Sequence, residues 1–329
     1  MGCYRESEHI VDDVKAGTMD DSGQVIVFCL VAFCVTYLLE AWLWLSGGLA
    51  VWFAFAVLIA VMFVPMLSAA MTVKLVEHGS LRSHGIAKGR VEHYLCGLAY
   101  PFGVIALGLV FVAVLRTAPI DLTMTKFKEI FPNVPAATEI PLYFTVINLI
   151  LAPFINFIPA LGEEYGWRGF LLPKLVGRFN LLGGLVLTGT AWGIWHAPLI
   201  LMGYNYPHHP DLVGVAAFTV WCILVGFFLG WLRLKSKSVL PAALGHGAIN
   251  AYVGFGLLIA PAADEMMTIP LGLPAMLALL VFAAVAYVDL SESLARLATS
   301  PLPPKSKSCV CLLARTPLGD DVSSSLGKC

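Results

Sequence analysis

The chain has 329 residues, 59% of them hydrophobic and only 12% charged, with a formal net charge of -1 and a mean hydropathy of +0.83. A soluble domain carries about 25% charged residues, so this composition excludes a soluble globular fold. No basic stripe points to nucleic acid, which is therefore not an expected partner.

Residues 1–23 are polar and acid-rich and read as a disordered cytosolic tail. They show no cleavable signal peptide, so the first apolar span is expected to act as the targeting signal. Eight apolar spans follow, at about 24–46, 49–72, 94–115, 141–172, 181–203, 212–234, 238–260 and 268–288. Each is near the ~20 residues that a helix needs to cross the ~30 Å hydrocarbon core. The fourth is too long for one simple crossing and contains Pro153 and Pro159, which predicts a kinked or interfacial piece before the helix bearing Glu163 and Glu164. The segment 289–329, rich in Ser, Pro, Asp and Lys, reads as a second disordered cytosolic tail. The expected fold is all-α: one polytopic membrane domain over 24–288, with about eight transmembrane helices around an intramembrane active-site cavity.

Orientation follows from Lys and Arg. Of twenty such residues, all but Arg116, Lys126 and Lys128 fall on the side that holds both termini and the 73–93, 173–180 and 233–237 loops. That bias predicts cytosolic termini in a multi-pass integral membrane protein. The eight cysteines have no metal-ligand spacing, and the compartment argues against disulfides.

Ionisable residues at bilayer depth cost at least ~2.5–3.5 kcal/mol each, so those inside the spans locate function. They cluster in three segments: Leu161-Gly-Glu-Glu-Tyr-Gly-Trp-Arg-Gly-Phe170, Trp192-Gly-Ile-Trp-His-Ala-Pro198 and Leu244-Gly-His-Gly-Ala-Ile-Asn250. Glu164 and Arg168 stand at i, i+4 and can pair on one helix face, as can His246 and Asn250. Glu163 lies about 100° round from Glu164 and is free to face another helix. Counting from the nearest cytosolic edge at 1.5 Å per residue puts Glu163 at ~16 Å, His246 at ~13 Å and His196 at ~20 Å. The three can therefore meet in one cavity. A carboxylate and an imidazole on facing helices can share a water and take its proton, while a second His with an Asn offers two donors to a tetrahedral oxyanion. Those are the parts needed for amide hydrolysis.

Glu163-Glu164-x-x-x-Arg168, an aromatic-x-x-x-His ending at His196, and His246-x-x-x-Asn250 together resemble the CAAX protease and bacteriocin-processing family of intramembrane endopeptidases, over about Ile140 to Tyr252. The resemblance implies Glu163 as catalytic base, His196 as its water-positioning partner, His246 and Asn250 as oxyanion stabilisers, and Glu164 and Arg168 as orienting residues. It implies a peptide or lipidated protein substrate within the lipid bilayer, with C-terminal processing of CAAX-type prenylated proteins as one form. Two features depart from the pattern. Trp192 stands where the family commonly has Phe, and Ala197-Pro198-Leu199 follows His196 where eukaryotic prenyl-protein proteases carry further histidines. The wording is closer to the broad bacterial branch.

No cofactor is expected. A divalent metal such as zinc stays open, with Glu163, His196 and His246 as its ligands, although no His-Glu-x-x-His occurs. The alternative functions are a non-catalytic membrane scaffold and a transporter using the same buried polar residues, the latter without the internal repeat expected of one. Among the remaining polar residues, Glu40 reads as a boundary residue near the far interface beside Trp42 and Trp44. Asn148 and Asn156 read as helix–helix hydrogen-bond partners, and His208 and His209 as loop surface. Gly183-Gly184 and Gly226-x-x-x-Gly230 read as close helix packing.

Overall fold

A computed structural model describes residues 22–121, 150–262 and 264–299. Within them the secondary structure is helical, and seven continuous helical runs are long and apolar enough to cross a membrane. We number the helices α1 Ser22–Leu45, α2 Ala54–Met62, α3 Val64–Thr72, α4 Val91–Leu115, α5 Ala152–Glu164, α6 Leu172–Trp195, α7 Ala197–Leu201, α8 Leu212–Ser236, α9 Val239–Ile259 and α10 Leu273–Thr299. The chain is an all-α polytopic membrane protein. Asn148 and the 141–149 part of the fourth expected span lie outside the described residues, as does most of both tails.

The longest run, Ala152–Trp195, has 44 residues. As a straight helix it would measure ~66 Å, twice the hydrocarbon core. It reverses at Phe179 and Asn180, whose backbone angles (φ -121°, ψ 16° and φ 66°, ψ 178°) are not helical. Asparagine tolerates the positive φ better than other non-glycine residues, and its Oδ1 accepts the Gly183 N–H at 3.0 Å, capping the returning helix. A Cβ on Gly184 would sit 2.7 Å from the Val176 Cα, eight residues back, where a straight helix would hold the two ~12 Å apart. The run is therefore a helical hairpin making two crossings. The expected loop over 173–180 shrinks to a two-residue turn, because Leu172, Leu175 and Val176 continue the buried helical face.

Two other boundaries differ from expectation. The second span is broken at Phe63, ahead of Pro65, into α2 and α3. The last helix continues to Thr299, so residues 289–299 are helical instead of part of a disordered tail. Leu290 and Leu294, one turn apart, keep it packed on the apolar cluster of Leu181, Leu185 and Leu234. Asp289 accepts from the Trp231 indole at 2.7 Å and pairs with Lys235 at 3.0 Å.

α5, α6, α8 and α9 form the centre. α9 packs along α5 and α4, α6 along α8, and α10 closes the far side against α4 and α8, with α1 and α3 on the opposite flank. Small residues permit these approaches. A Cβ on Gly189 would lie 2.6 Å from the Ile223 Cα of α8, and one on Gly226 only 3.7 Å from the Gly189 Cα.

One end of the bundle gathers the start of α1, the end of α3, the hairpin tip and the α8–α9 turn. There Lys174 donates to Gln24 at 2.6 Å and to Glu77, and His84 pairs with Glu77 at 3.0 Å. The loops expected to share a side do so.

The close approaches are testable. Gly189→Ala should lower the melting temperature by an overpacking cost of about 1–3 kcal/mol. Gly254→Ala, with nothing within 4 Å of its Cβ, should be neutral or slightly stabilising. Equal melting temperatures for the two variants in detergent would remove the packing argument.

Candidate active site

α5 ends in Glu163 and Glu164 and continues as a π-helical stretch, Tyr165–Leu171, that carries Arg168. Such wide turns inside helices are frequent at functional sites. The widening leaves the pair intact: Arg168 Nη1 donates to Glu164 Oε1 at 2.8 Å, with both side chains at 0–1% exposure. His246 Nδ1 reaches the same oxygen at 2.8 Å. Glu164 thus accepts from a neighbour on its own helix and from α9 across the bundle. The orienting pair of Glu164 and Arg168 is accordingly a triad with His246.

Glu163 points elsewhere. Its Oε2 accepts the indole N–H of Trp192 at 2.6 Å, and the residue is 2% exposed. The guanidinium of Arg168 sits 4.2 Å from the centroid of the same indole, a cation–π contact in a site with little water. The Trp192 ring lies 5.3 Å from that of His246 and 6.0 Å from that of His196. Trp192 therefore touches each of the three motifs. Its indole N–H was not foreseen as an active group, although a Trp in place of a Phe was its visible signal.

His196 is set by a helix break that the sequence encodes at Pro198. Proline has no N–H, so the Ile194 carbonyl loses its helical donor, and the Tyr37 hydroxyl donates to it at 2.7 Å instead. The helix tightens at its end: the His196 N–H bonds Gly193 O at 3.1 Å. This frees the Trp192 carbonyl, which accepts from the His196 ring Nδ1 at 2.8 Å. A carbonyl only accepts, so that nitrogen carries the proton and Nε2 keeps its lone pair. His246 lies within electrostatic reach of both Glu163 and His196. Asn250, one turn along α9, is exposed. The structure thus gathers Glu163, His196 and His246 around Trp192 and leaves Asn250 at the rim.

Three further residues lie outside the motifs. Glu40, read as a boundary residue, is fully buried within the bundle, on the face of α1 shared with Thr36, which accepts from the Trp195 indole at 2.7 Å. Asn156 bonds its own helix, at Ala152 O, 2.9 Å. Tyr204, in the loop after α7, has its hydroxyl pushed up first by burial and then by the charge of Glu163. Among the described residues one group of three His, Cys, Asp or Glu has ligand atoms close enough to share a metal ion, and it is not Glu163, His196 and His246.

The sequence model of the Type II CAAX prenyl endopeptidase Rce1-like family matches residues 142–252. The chain is 31% identical over 101 residues to a CAAX prenyl protease 2 of Methanococcus maripaludis, an alignment covering 30% of this chain and 37% of that protein.

The buried triad carries a stability prediction. Glu164→Gln leaves Arg168 as a buried charge without its carboxylate, a change that typically costs ~3–5 kcal/mol. Its melting temperature and detergent-solubilised yield should fall well below those of wild type; a fully stable Glu164→Gln protein would mean that Arg168 does not depend on Glu164.

The three motifs all lie within the matched region, which is similar to the Rce1-like CAAX prenyl endopeptidases and spans about a third of this chain and of that relative.

Proposed function

We propose that this chain is an intramembrane endopeptidase that hydrolyses a peptide bond near the membrane surface by a water molecule activated between Glu163 and His196. The observation that carries this reading is the convergence of a carboxylate and two imidazoles, from α5, α6 and α9, on one indole.

Glu163 takes a proton from the water, whose oxygen attacks the scissile carbonyl. The free Nε2 of His196 accepts the water's other hydrogen and fixes its position. The oxyanion is met by His246 Nε2–H and the Asn250 amide. For His246 to donate from Nε2 while Nδ1–H faces Glu164 the ring is an imidazolium, and Glu164 is its counterion. Collapse of the intermediate breaks the C–N bond, and Glu163 returns its proton to the leaving amine.

An apolar substrate group is supported by an apolar, half-open hollow lined by Tyr100, Pro101, Val104, Trp221, Ile249 and Tyr252. The Trp221 ring in its wall lies 6.2 Å from that of Trp192, tilted by 46°, and Ile249 is three residues from His246. A lipidated C-terminal peptide of CAAX type suits such a neighbour. The CAAX prenyl protease name of the archaeal relative points to the same substrate class. The Lys and Arg bias puts both termini, and the basic end of the bundle, in the cytosol.

Cleavage of prenylated and unprenylated peptides in liposomes tests the proposal. Glu163→Gln keeps the size and the indole bond but not the basicity, so turnover should fall on the order of 10²–10⁴-fold with an unchanged melting temperature. Near-normal turnover would refute the assignment.

Trp192→Phe keeps the ring under Arg168 and removes the N–H bond to the carboxylate, worth about 1.5–3 kcal/mol. A kcat lower by roughly 10–100-fold, with KM and melting temperature little changed, is expected. A change in KM alone would make Trp192 a packing residue. Thiol labelling of Cys329 in intact cells should require permeabilisation; labelling from outside would reverse the orientation.

A further inference from the structure

At the end of the bundle opposite the Lys174–Glu77 cluster, the loop joining α7 to α8 meets the loop before α10. His208 and His209 stand on the first, Asp264 and Glu265 on the second. His209 Nε2 lies 3.0 Å from Asp264 Oδ2, and His208 Nδ1 lies 2.6 Å from Glu265 Oε1. One ligand atom from each of His209, Asp264 and Glu265 falls within 4.8 Å of the others, the one such group of three among the described residues.

The loops hold these side chains in place independently of their mutual contacts. His209 N donates to Tyr206 O at 3.0 Å, and the buried Tyr206 hydroxyl donates to Leu271 O at 2.8 Å. The His209 carbonyl is seated against Gly214, where a Cβ would come within 2.1 Å of it. Asp264 Oδ1 receives the Met266 N–H at 2.7 Å, fixing a carboxylate whose two oxygens lie 3.1 and 3.0 Å from His209 Nε2. The charges that act on His209 are those of Asp264, Asp211 and Glu265, all acidic. Two imidazoles surrounded by three carboxylates form a concentrated negative site that favours a cation.

We propose that His209, Asp264 and Glu265, with His208 as the fourth ligand, form a binding site for a divalent transition metal, zinc by its donor set, separate from the Glu163 site. Zinc bonds to imidazole nitrogen and carboxylate oxygen of about 2.0–2.2 Å place tetrahedral ligands about 3.4 Å apart. The His209–Asp264 pair at 3.0 Å needs to open by about 0.4 Å and the His208–Glu265 pair at 2.6 Å by about 0.8 Å to admit the ion. Two nitrogens and two oxygens suit zinc, whereas calcium and magnesium prefer an all-oxygen shell. The bound ion would fasten the loop that carries Tyr204, whose hydroxyl feels the charge of Glu163, to the start of the last helix.

The test is zinc binding by full-length protein in detergent after chelator treatment, read by titration calorimetry and metal analysis. One zinc per chain is expected for wild type and for Glu163→Gln alike, with a rise in melting temperature. His209→Asn and Glu265→Gln should weaken binding at least tenfold, while melting like metal-free wild type, which shows that they fold. X-ray absorption should report a nitrogen and oxygen shell without sulfur. The proposal is overturned if wild type binds no zinc, or if zinc binding survives His209→Asn and disappears in His246→Ala. None of these readouts uses peptide cleavage, so failure here leaves the endopeptidase reading standing, and the reverse.

Discussion

The rest of the structure depends on keeping two adjacent glutamates ionisable in the middle of a membrane protein. A buried charge without partners costs several kcal/mol, and removing one partner of a buried pair leaves that cost on the other. Glu164 meets it with Arg168 on its own helix and His246 on α9, both at 2.8 Å. This network is what fixes α9 against α5, and the close packing of Gly247 on the backbone of Phe157 follows the same interface. Glu163 instead accepts from a neutral donor, the Trp192 indole. Two carboxylates one residue apart are thereby given different electrostatic surroundings, which under the proposed mechanism lets one helix supply both a structural anchor and a base.

Trp192 links this division to the third helix. Its ring takes the Arg168 charge on one face and its N–H holds Glu163, while its backbone carbonyl holds His196. A phenylalanine would keep the first contact and lose the second. The carbonyl contact owes nothing to the side chain; it exists because Pro198 interrupts the helix two residues beyond His196. Local backbone chemistry and side-chain identity therefore act on opposite ends of the same residue. The outcome is an imidazole whose protonated nitrogen is committed and whose other nitrogen is free.

Much of this was legible in the sequence. The all-α membrane fold follows from apolar length, and the three polar segments stand out because ionisable residues are rare there. The i, i+4 spacing of Glu164 and Arg168 predicted their pair directly. What was not legible depends on which faces meet. Nothing in the spacing of Glu164 and His246, 82 residues apart, says that they bond, and the depth estimates could only allow it. The burial of Glu40 was likewise not legible, because its neighbours Trp42 and Trp44 suggest an interface and say nothing of which face of α1 turns inward. The hairpin tip had a readable signal, Asn180 ahead of Gly183 and Gly184. It was masked by Lys174 and Arg178, which look like loop residues but extend a helix whose Lys174 is buried against Glu77 and Phe170.

The two ends of the bundle are knitted by different chemistry. At the basic end Lys174, Gln24, Glu77 and His84 join α1, α3 and α6, and Ser238 caps α9 at the tight turn from α8. At the other end the ties are imidazoles to carboxylates, with Asp211 capping α8. Lysine and arginine are concentrated at one end, and at the other the ties between these two loops use histidine and backbone donors. Histidine is the one side chain among these that can be either a hydrogen-bond donor or a metal ligand near neutral pH. The charge asymmetry between the two ends thus goes with a difference in what fastens their loops, and at the far end that fastening lies on the segment leading out of His196.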